Sequence, residues 1–348
     1  MAGAAAAVLV VALTVAAPPG SAAAAAPAHA VRPPAVVLDT DMDFDDTAAL
    51  AYLVQADRLG WIDLRAVTVE TTGIAYPGNG LSHARCLLDK LGSASVPVSD
   101  GTGTSTNNFP DFARTLLDGI VESGVRTASD APCPAVPSEG HAAALLDSTI
   151  RDTPGDVTLI TLGTLTNVAD ALTDDPGLSS RIGQVFVEGG QLDWSQFGTS
   201  FFDAHDYNLW ADPESAQTVL RAMPGRVFMS GGQASAFVPL TEAFRQQLAA
   251  QAGTPALDSV LTMINSPLLV GAEAENGGGA FWWDPLAAVA ATVNHVETFA
   301  PYRVTVVQDG DNAGRIAEDP QQGTLVHYGT YADADLFHQV FLDTLAAT

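Results

Sequence analysis

Five carboxylates fall within eight residues near the start of the chain, in Asp39-Thr40-Asp41-Met42-Asp43-Phe44-Asp45-Asp46. An apolar run, Ala35-Val36-Val37-Leu38, precedes them, and an apolar helical pattern, Ala48 to Val54, follows. Like charges confined to one turn repel each other. Holding them there takes raised pKa values, hydrogen bonds from a helix N-terminus, or a bound cation. A hard divalent ion is the simplest of the three, because Ca²⁺ takes carboxylate and carbonyl oxygens. Ordinary helix capping uses one or two acids and does not account for five. The segment is not an EF-hand loop: counted from Asp39, the sixth position is Phe44 rather than Gly and the twelfth is Leu50 rather than Glu.

The elements around this turn decide where it sits. Short β-branched runs at 35–38, 64–69, 96–98, 157–162, 184–187, 226–229 and 303–307 alternate with helical patterns. The helical patterns are 46–58, 79–91, 141–151, 166–173, 213–222, 241–252, 256–269, 284–293 and 333–346. Apolar strands separated by helices predict an α/β domain, a mostly parallel central sheet with helices on both faces and an open, Rossmann-like core. Ligands of such sheets bind at the carboxyl ends of the strands, so the residues just after each strand matter most. A phosphohydrolase of the haloacid-dehalogenase type also opens strand-Asp-x-Asp, with Asp39 as nucleophile and Asp41 as acid/base. It has no use for Asp45-Asp46 and needs a Lys after a later strand, whereas the only Lys, Lys90, stands in a helical pattern.

Asp-x-Asp-x-x-x-Asp-Asp after an N-terminal strand resembles the nucleoside hydrolase family, the inosine–uridine-type nucleoside N-ribohydrolases. Further segments resemble that family in order. Leu162-Gly-Thr-Leu-Thr-Asn167 is similar to its Gly-Pro-Leu-Thr-Asn turn, with Thr164 where Pro is usual, and Glu188-Gly-Gly190 to its Met-Gly-Gly strand end. Asp206-Tyr-Asn208-Leu-Trp-Ala-Asp-Pro213-Glu resembles its Glu-Phe-Asn-Ile-Tyr-Ala-Asp-Pro-Glu segment. Trp283-Asp284-Pro-Leu-Ala287 resembles its late His-Asp-Pro or Trp-Asp segment, and Asn107 to Arg114 is similar to a loop of the purine-specific branch.

The resemblance implies a Ca²⁺-dependent enzyme that cleaves the N-glycosidic bond of ribonucleosides to ribose and free base. By position, Asp41, Asp46, Asp284 and the main-chain carbonyl of Leu162 would hold the ion. Asp41 would act as general base on a Ca²⁺-bound water. Asp45 and Asn208 would bind ribose hydroxyls, and Asp206 the 5′-hydroxyl, where the family has Glu. Asp39 would orient the loop from behind. Trp283 stands where many members carry His, so no leaving-group acid is evident there. As in the purine-specific branch, Trp283 and Phe112 would stack the base, which implies a purine lean. The branch's acid at the base ring has no counterpart, Glu70 falling slightly early. His205 is a spare acid candidate. Glu188 replaces Met without evident reason. The departures Thr164, Glu188 and Asp206 keep a second reading open, a non-catalytic nucleoside- or ribose-binding protein on the same scaffold.

The composition bounds the partners. The chain has 348 residues, a formal net charge of -26, and 47% hydrophobic residues. That is enough apolar residue for a large core, and the negative field disfavours nucleic acid and anionic membranes while suiting an uncharged nucleoside. A homo-oligomer stays open. Residues 1–30 carry no Asp, Glu, Lys or Arg. The apolar run Ala4 to Ala17 and the small-residue site Ala28-His29-Ala30 read as a secretory signal peptide, which leaves 31–348 as one catalytic domain and predicts a secreted protein. The two cysteines, Cys86 and Cys133, could pair in that compartment, but their spacing specifies nothing.

Overall fold

The Ala35–Leu38 run becomes the inner part of strand β1 (Ala35–Thr40), buried along almost its whole length. A computed structural model describes residues 32–194, 205–276 and 280–348; the stretch 1–30 read as a signal peptide lies outside the described residues. The further strands are β2 (Asp63–Val69), β3 (Val98–Asp100), β4 (Val157–Thr161), β5 (Ile182–Glu188), β6 (Val227–Ser230), β7 (Glu297–Val306), β8 (Ile316–Glu318) and β9 (Thr324–Ala332). They form one nine-stranded sheet in the order β3-β2-β1-β4-β5-β6-β9-β7-β8. Pairing is parallel from β3 through β9, and β7 and β8 close that edge antiparallel.

Alternation along β1 puts Val36 and Leu38 in the core on one face and Val37 in the core on the other. Helices therefore have to cover both faces, as observed. The helix Phe44–Arg58 is buried from Phe44 to Ala56 and packs against the helices Trp283–Thr292, Pro255–Ile264 and Ala334–Ala346. That explains why its sequence is apolar all round rather than striped. Residues Pro33–Thr348 make one compact unit. Among the described residues, no helix is long and apolar enough to cross a membrane.

The predicted elements differ from the structure in several places, of which four bear on the sheet and its cover. Strand β3 starts two residues later than the 96–98 run. The 256–269 pattern is two helices, Pro255–Ile264 and Pro267–Asn276, because Pro267 cannot continue the first. The helix Asp111–Gly124, which buries Ala113, Leu117, Ile120 and Val121, begins inside the 107–114 segment that the resemblance makes a loop. Strands β8 and β9 were not predicted; β9 is half-buried and inserts between β6 and β7. Cys86, on the helix Asn79–Lys90, is disulfide-bonded to Cys133 with a Cα–Cα distance of 5.7 Å.

Candidate active site

Strand β1 lies between β2 and β4, and its carboxyl end delivers the acidic turn to the middle of the sheet. Met42 takes a left-handed backbone conformation, with φ of 56°, which bends the chain sharply between Asp41 and the helix. Asp43 then caps the helix Phe44–Arg58: its carboxylate accepts the Phe44 N–H at 2.6 Å, and Asp46 reaches back to the Asp43 N–H at 3.0 Å. Asp43 is thus buried in a capping box rather than facing solvent. Asp46 also accepts the Thr40 hydroxyl.

A second helix N-terminus meets the first. Asp284 lies in the first turn of the helix Trp283–Thr292, and its N–H donates to Asp45 at 3.3 Å. Carboxylate oxygens of Asp45, Asp46 and Asp284 lie within 4.8 Å of one another, all buried. The carboxyl of Asp46 also lies against those of Asp41 and Asp284. The tightest three-way group therefore contains Asp45, which the sequence reading gave to the ribose, while Asp41 adjoins it through Asp46. The reason is local: Asp45 sits in the first turn of the helix and is drawn to the facing Asp284 N–H.

Close approach at Asp41 needs glycine opposite. A Cβ on Gly163 would stand 2.8 Å from the Asp41 N and 2.9 Å from its Cβ. The Leu162 N–H continues the β1–β4 ladder to the Asp39 carbonyl at 2.8 Å, and the Leu162 carbonyl accepts from Asn208 Nδ2 at 3.2 Å. Asn208, buried in the short helix Tyr207–Ala211, also donates to the Glu188 carboxylate at 2.8 Å. Asp206 caps that same helix through the Leu209 N–H at 3.2 Å and takes the Gly190 N–H with its other oxygen.

Burial, and then repulsion from neighbouring carboxylates, holds Asp41, Asp45, Asp284 and Glu188 well above the usual carboxylate range. Burial pushes Asp46 up to about 7 and Asp43 to about 8. These groups cannot all ionise in this space without a counter-charge. The set of candidate ligands is all oxygen, buried and convergent, with the Asp46 carboxyl directly against those of Asp41 and Asp284. It fits a hard divalent cation such as Ca²⁺.

Beneath this cluster lies a second one. Asp39 Oδ1 accepts from Thr68 and from Asn167 Nδ2 at 2.9 Å, and Glu70 accepts the Asn167 N–H at 2.6 Å and the Thr72 hydroxyl at 3.1 Å. Glu70 is therefore a buried partner of Asp39 and not a group for the base ring. Thr164, which departs from the family's Pro, hydrogen-bonds Thr72 and Thr166, and Thr166 continues to Asp212 at 2.8 Å.

The two tryptophans divide as their positions suggest. Trp282 is 1% exposed and packs on Phe244 and Phe341. Trp283 is half-buried, with ring contacts to Phe44 at 6.2 Å and Phe281 at 5.4 Å. Phe112 lies in the first turn of the helix Asp111–Gly124, 62% exposed. His205 packs on Trp210 at 4.8 Å between ring centroids. Lys90 lies in the field of Asp130 and Asp258, not of the acidic turn, so the phosphohydrolase arrangement is not built.

Sequence reasoning missed Arg114. Its guanidinium binds the carbonyls of Thr71, Ile74 and Ala75 and covers the Tyr76 ring at 4.4 Å, fixing the loop against which Asp41 packs. The signal was an Arg at the end of the 107–114 segment, read only as part of a loop.

Residues 36–339 match the model of one family, described as inosine-uridine preferring nucleoside hydrolase. The chain belongs to that family. Among relatives, uridine nucleosidase 1 of Arabidopsis thaliana is 27% identical over 190 residues, 53% of this chain and 52% of its own length. The chain spans about half the length of the curated relatives it matches. A plant nucleoside hydrolase structure superposes with a TM-score of 0.77 at 22% identity, covering 91% of this chain and 100% of that one. A purine-preferring ribonucleoside hydrolase from Gardnerella vaginalis gives a TM-score of 0.72 at 21% identity, covering 90% and 98%. These superpositions show that this member shares the nucleoside hydrolase fold. The family match spans all the elements that carry the acidic cluster.

Proposed function

We propose that this nucleoside hydrolase family member is a Ca²⁺-dependent nucleoside N-ribohydrolase that leans to purines. It would add water across the bond between C1′ and the base nitrogen, giving ribose and free base. The observation that carries the reading is the buried meeting of Asp41, Asp45, Asp46 and Asp284 at the carboxyl end of β1, with Asn208 beside it. Asp41, Asp46, Asp284 and the Leu162 carbonyl would hold the ion, with Asp45 in reach of it. When bound, the ion supplies positive charge that makes a nearby water more acidic and attracts sugar hydroxyls.

The chain's own residues do the rest. Asp41 takes the proton of the attacking water. Asp45 and Asn208 hold ribose hydroxyls and so orient C1′ toward that water. Trp283 offers an indole face to the base, and the helices around it exclude bulk solvent. The purine lean rests on that indole and on the absence of His before Asp284. Export is part of the proposal too: the charge-free N-terminal stretch and the Cys86–Cys133 disulfide both suit an oxidising compartment.

The test is a nucleoside panel assayed for reducing sugar, with and without chelator. Ribose release from inosine that is faster than from uridine and lost on chelation is the expected outcome. Equal specificity constants for the two would remove the purine lean. Ligand and cation binding without ribose release would favour the non-catalytic reading. Recovery of the chain inside cells, with none in the medium, would remove the proposed export.

A further inference from the structure

The resemblance gives the sugar's 5′-hydroxyl to Asp206, but the structure uses Asp206 differently. One of its oxygens caps the helix Tyr207–Ala211 at the Leu209 N–H, and the other takes the Gly190 N–H. A Cβ on Gly189 would meet Asp206 Oδ1 at 3.0 Å, so the side chain is folded beneath the Gly189–Gly190 turn. Both glycines have φ values, 125° and 86°, that only glycine adopts readily. Asp206 thereby fastens the short helix to the end of β5. Its side chain is one methylene shorter than the Glu usual in the family, and the tie to the turn keeps it back.

Glu188 is the other carboxylate at this end of the sheet. It is the last residue of β5, directly before that turn. Its Oε2 accepts Asn208 Nδ2 at 2.8 Å, and the same Nδ2 faces the Leu162 carbonyl at 3.2 Å. Its strongest electrostatic neighbours are Asp206 first, then Asp45, Asp46 and Asp41. Through the shared Asn208 amide, Glu188 is tied to the Leu162 carbonyl, one of the groups the proposed reading places around the sugar and its ion. Anchored at Asn208, it offers a fixed acceptor on the Asp206 side of that sugar. A Met there could offer no hydrogen bond of that strength.

We propose that Glu188, not Asp206, is this chain's acceptor for the 5′-hydroxyl of the ribose, and that it determines specificity for that hydroxyl. The inference rests on the nucleoside hydrolase reading given above. The two departures from the family pattern, Glu188 for Met and Asp206 for Glu, are then one exchange: the acceptor has moved from the helix to the strand end, and the residue left on the helix has become its cap.

The test compares kcat/KM for inosine and 5′-deoxyinosine in the wild type, Glu188→Met, Glu188→Gln and Asp206→Asn proteins. The wild type is expected to favour inosine by roughly 5- to 100-fold, the range for removing one partner of a buried hydrogen bond. Glu188→Met should bring the ratio near one, and Glu188→Gln, which keeps the shape but replaces one acceptor oxygen with an NH₂ group, should lower it severalfold. Asp206→Asn should change both substrates in proportion. A ratio unchanged in both Glu188 variants, or one that collapses in Asp206→Asn, would return the role to Asp206 and overturn the inference. A wild type that hydrolyses both substrates equally would also overturn it. A wild type that cleaves neither, nor any other nucleoside, would overturn the hydrolase reading itself, and the inference with it.

Discussion

Two acidic clusters lie back to back at the carboxyl end of β1, and they are solved in opposite ways. The lower one, Asp39 and Glu70, is surrounded by donors: Thr68, Thr72, and both the side chain and the N–H of Asn167. Burial still pushes Asp39 up to about 6 and Glu70 well above its usual range, and Asp39 lies against Glu70. One proton shared by that pair would relieve the repulsion between them. The upper cluster has Asp41, Asp45, Asp46 and Asp284 and fewer donors for each acid, and carboxyl faces carboxyl. Burying acids is therefore not itself the mark of a site. The mark is burial in which carboxyl lies against carboxyl with few donors for each, an arrangement that suits a cation.

The largest effect expected from this contrast is on turnover. Asp41→Ala should lower inosine hydrolysis by about 10²- to 10⁴-fold, the range for loss of a general base, measured as kcat by reducing-sugar release. Glu70→Gln, one layer down, keeps the shape of a group whose charged form burial and Asp39 already disfavour. It should leave kcat within about tenfold and stability within about 1 kcal/mol by denaturant titration. A Glu70→Gln loss as large as that of Asp41→Ala would erase the distinction.

Stability should separate the clusters next. Saturating Ca²⁺ should stabilise the wild type, by about 2.7 kcal/mol at a hundredfold excess over Kd. Asp284→Asn should abolish that gain yet melt higher than the wild type in chelator, because it removes a buried repulsion. Asp39→Asn should keep the Ca²⁺ gain while costing about 1–3 kcal/mol, since it disturbs the bonds that Thr68 and Asn167 make to Oδ1.

The pH dependence is a subtler version of the same contrast. The folded-state pKa values here are raised above those of the unfolded chain, so their contribution to stability is full below about pH 4, near the ordinary aspartate value of 3.8. It is lost as pH rises through about 6 for Asp39, 7 for Asp46 and 8 for Asp43. In chelator, Tm should fall between pH 4 and 8. With Ca²⁺ bound, the upper-cluster share of that slope should disappear, and melting scans across this range would read it directly. The smallest effect expected is at the rim: Trp283→Ala should lower inosine kcat/KM severalfold, corresponding to about 1 kcal/mol of stacking, and uridine less.

Much of this site could be read from the chain because its acids are contiguous. Asp39 to Asp46 lie on one strand–helix turn, and the apolar run before them places that turn at a strand's carboxyl end. Asp284 is far away in sequence, and only resemblance tied it to the cluster; the facing helix N-termini that bring it there are tertiary. Glu188 was noticed but not explained, because its role depends on how Asp206 is used, and no spacing rule records that. The Cys86–Cys133 bond was open for the same reason. Strand β9 escaped because its half-buried alternation is weaker than the continuous apolar runs of the inner strands, and the 256–269 pattern hid the break at Pro267.

The most direct test of the account is a calorimetric titration of Ca²⁺ into chelator-treated protein, run in buffers of differing ionisation enthalpy, for the wild type and Asp284→Asn. The account predicts one Ca²⁺ per chain in the wild type, with protons released as it binds because the carboxyls must ionise to accept it, and loss of that binding in Asp284→Asn. No binding by the wild type, or equal binding by the variant, would contradict it.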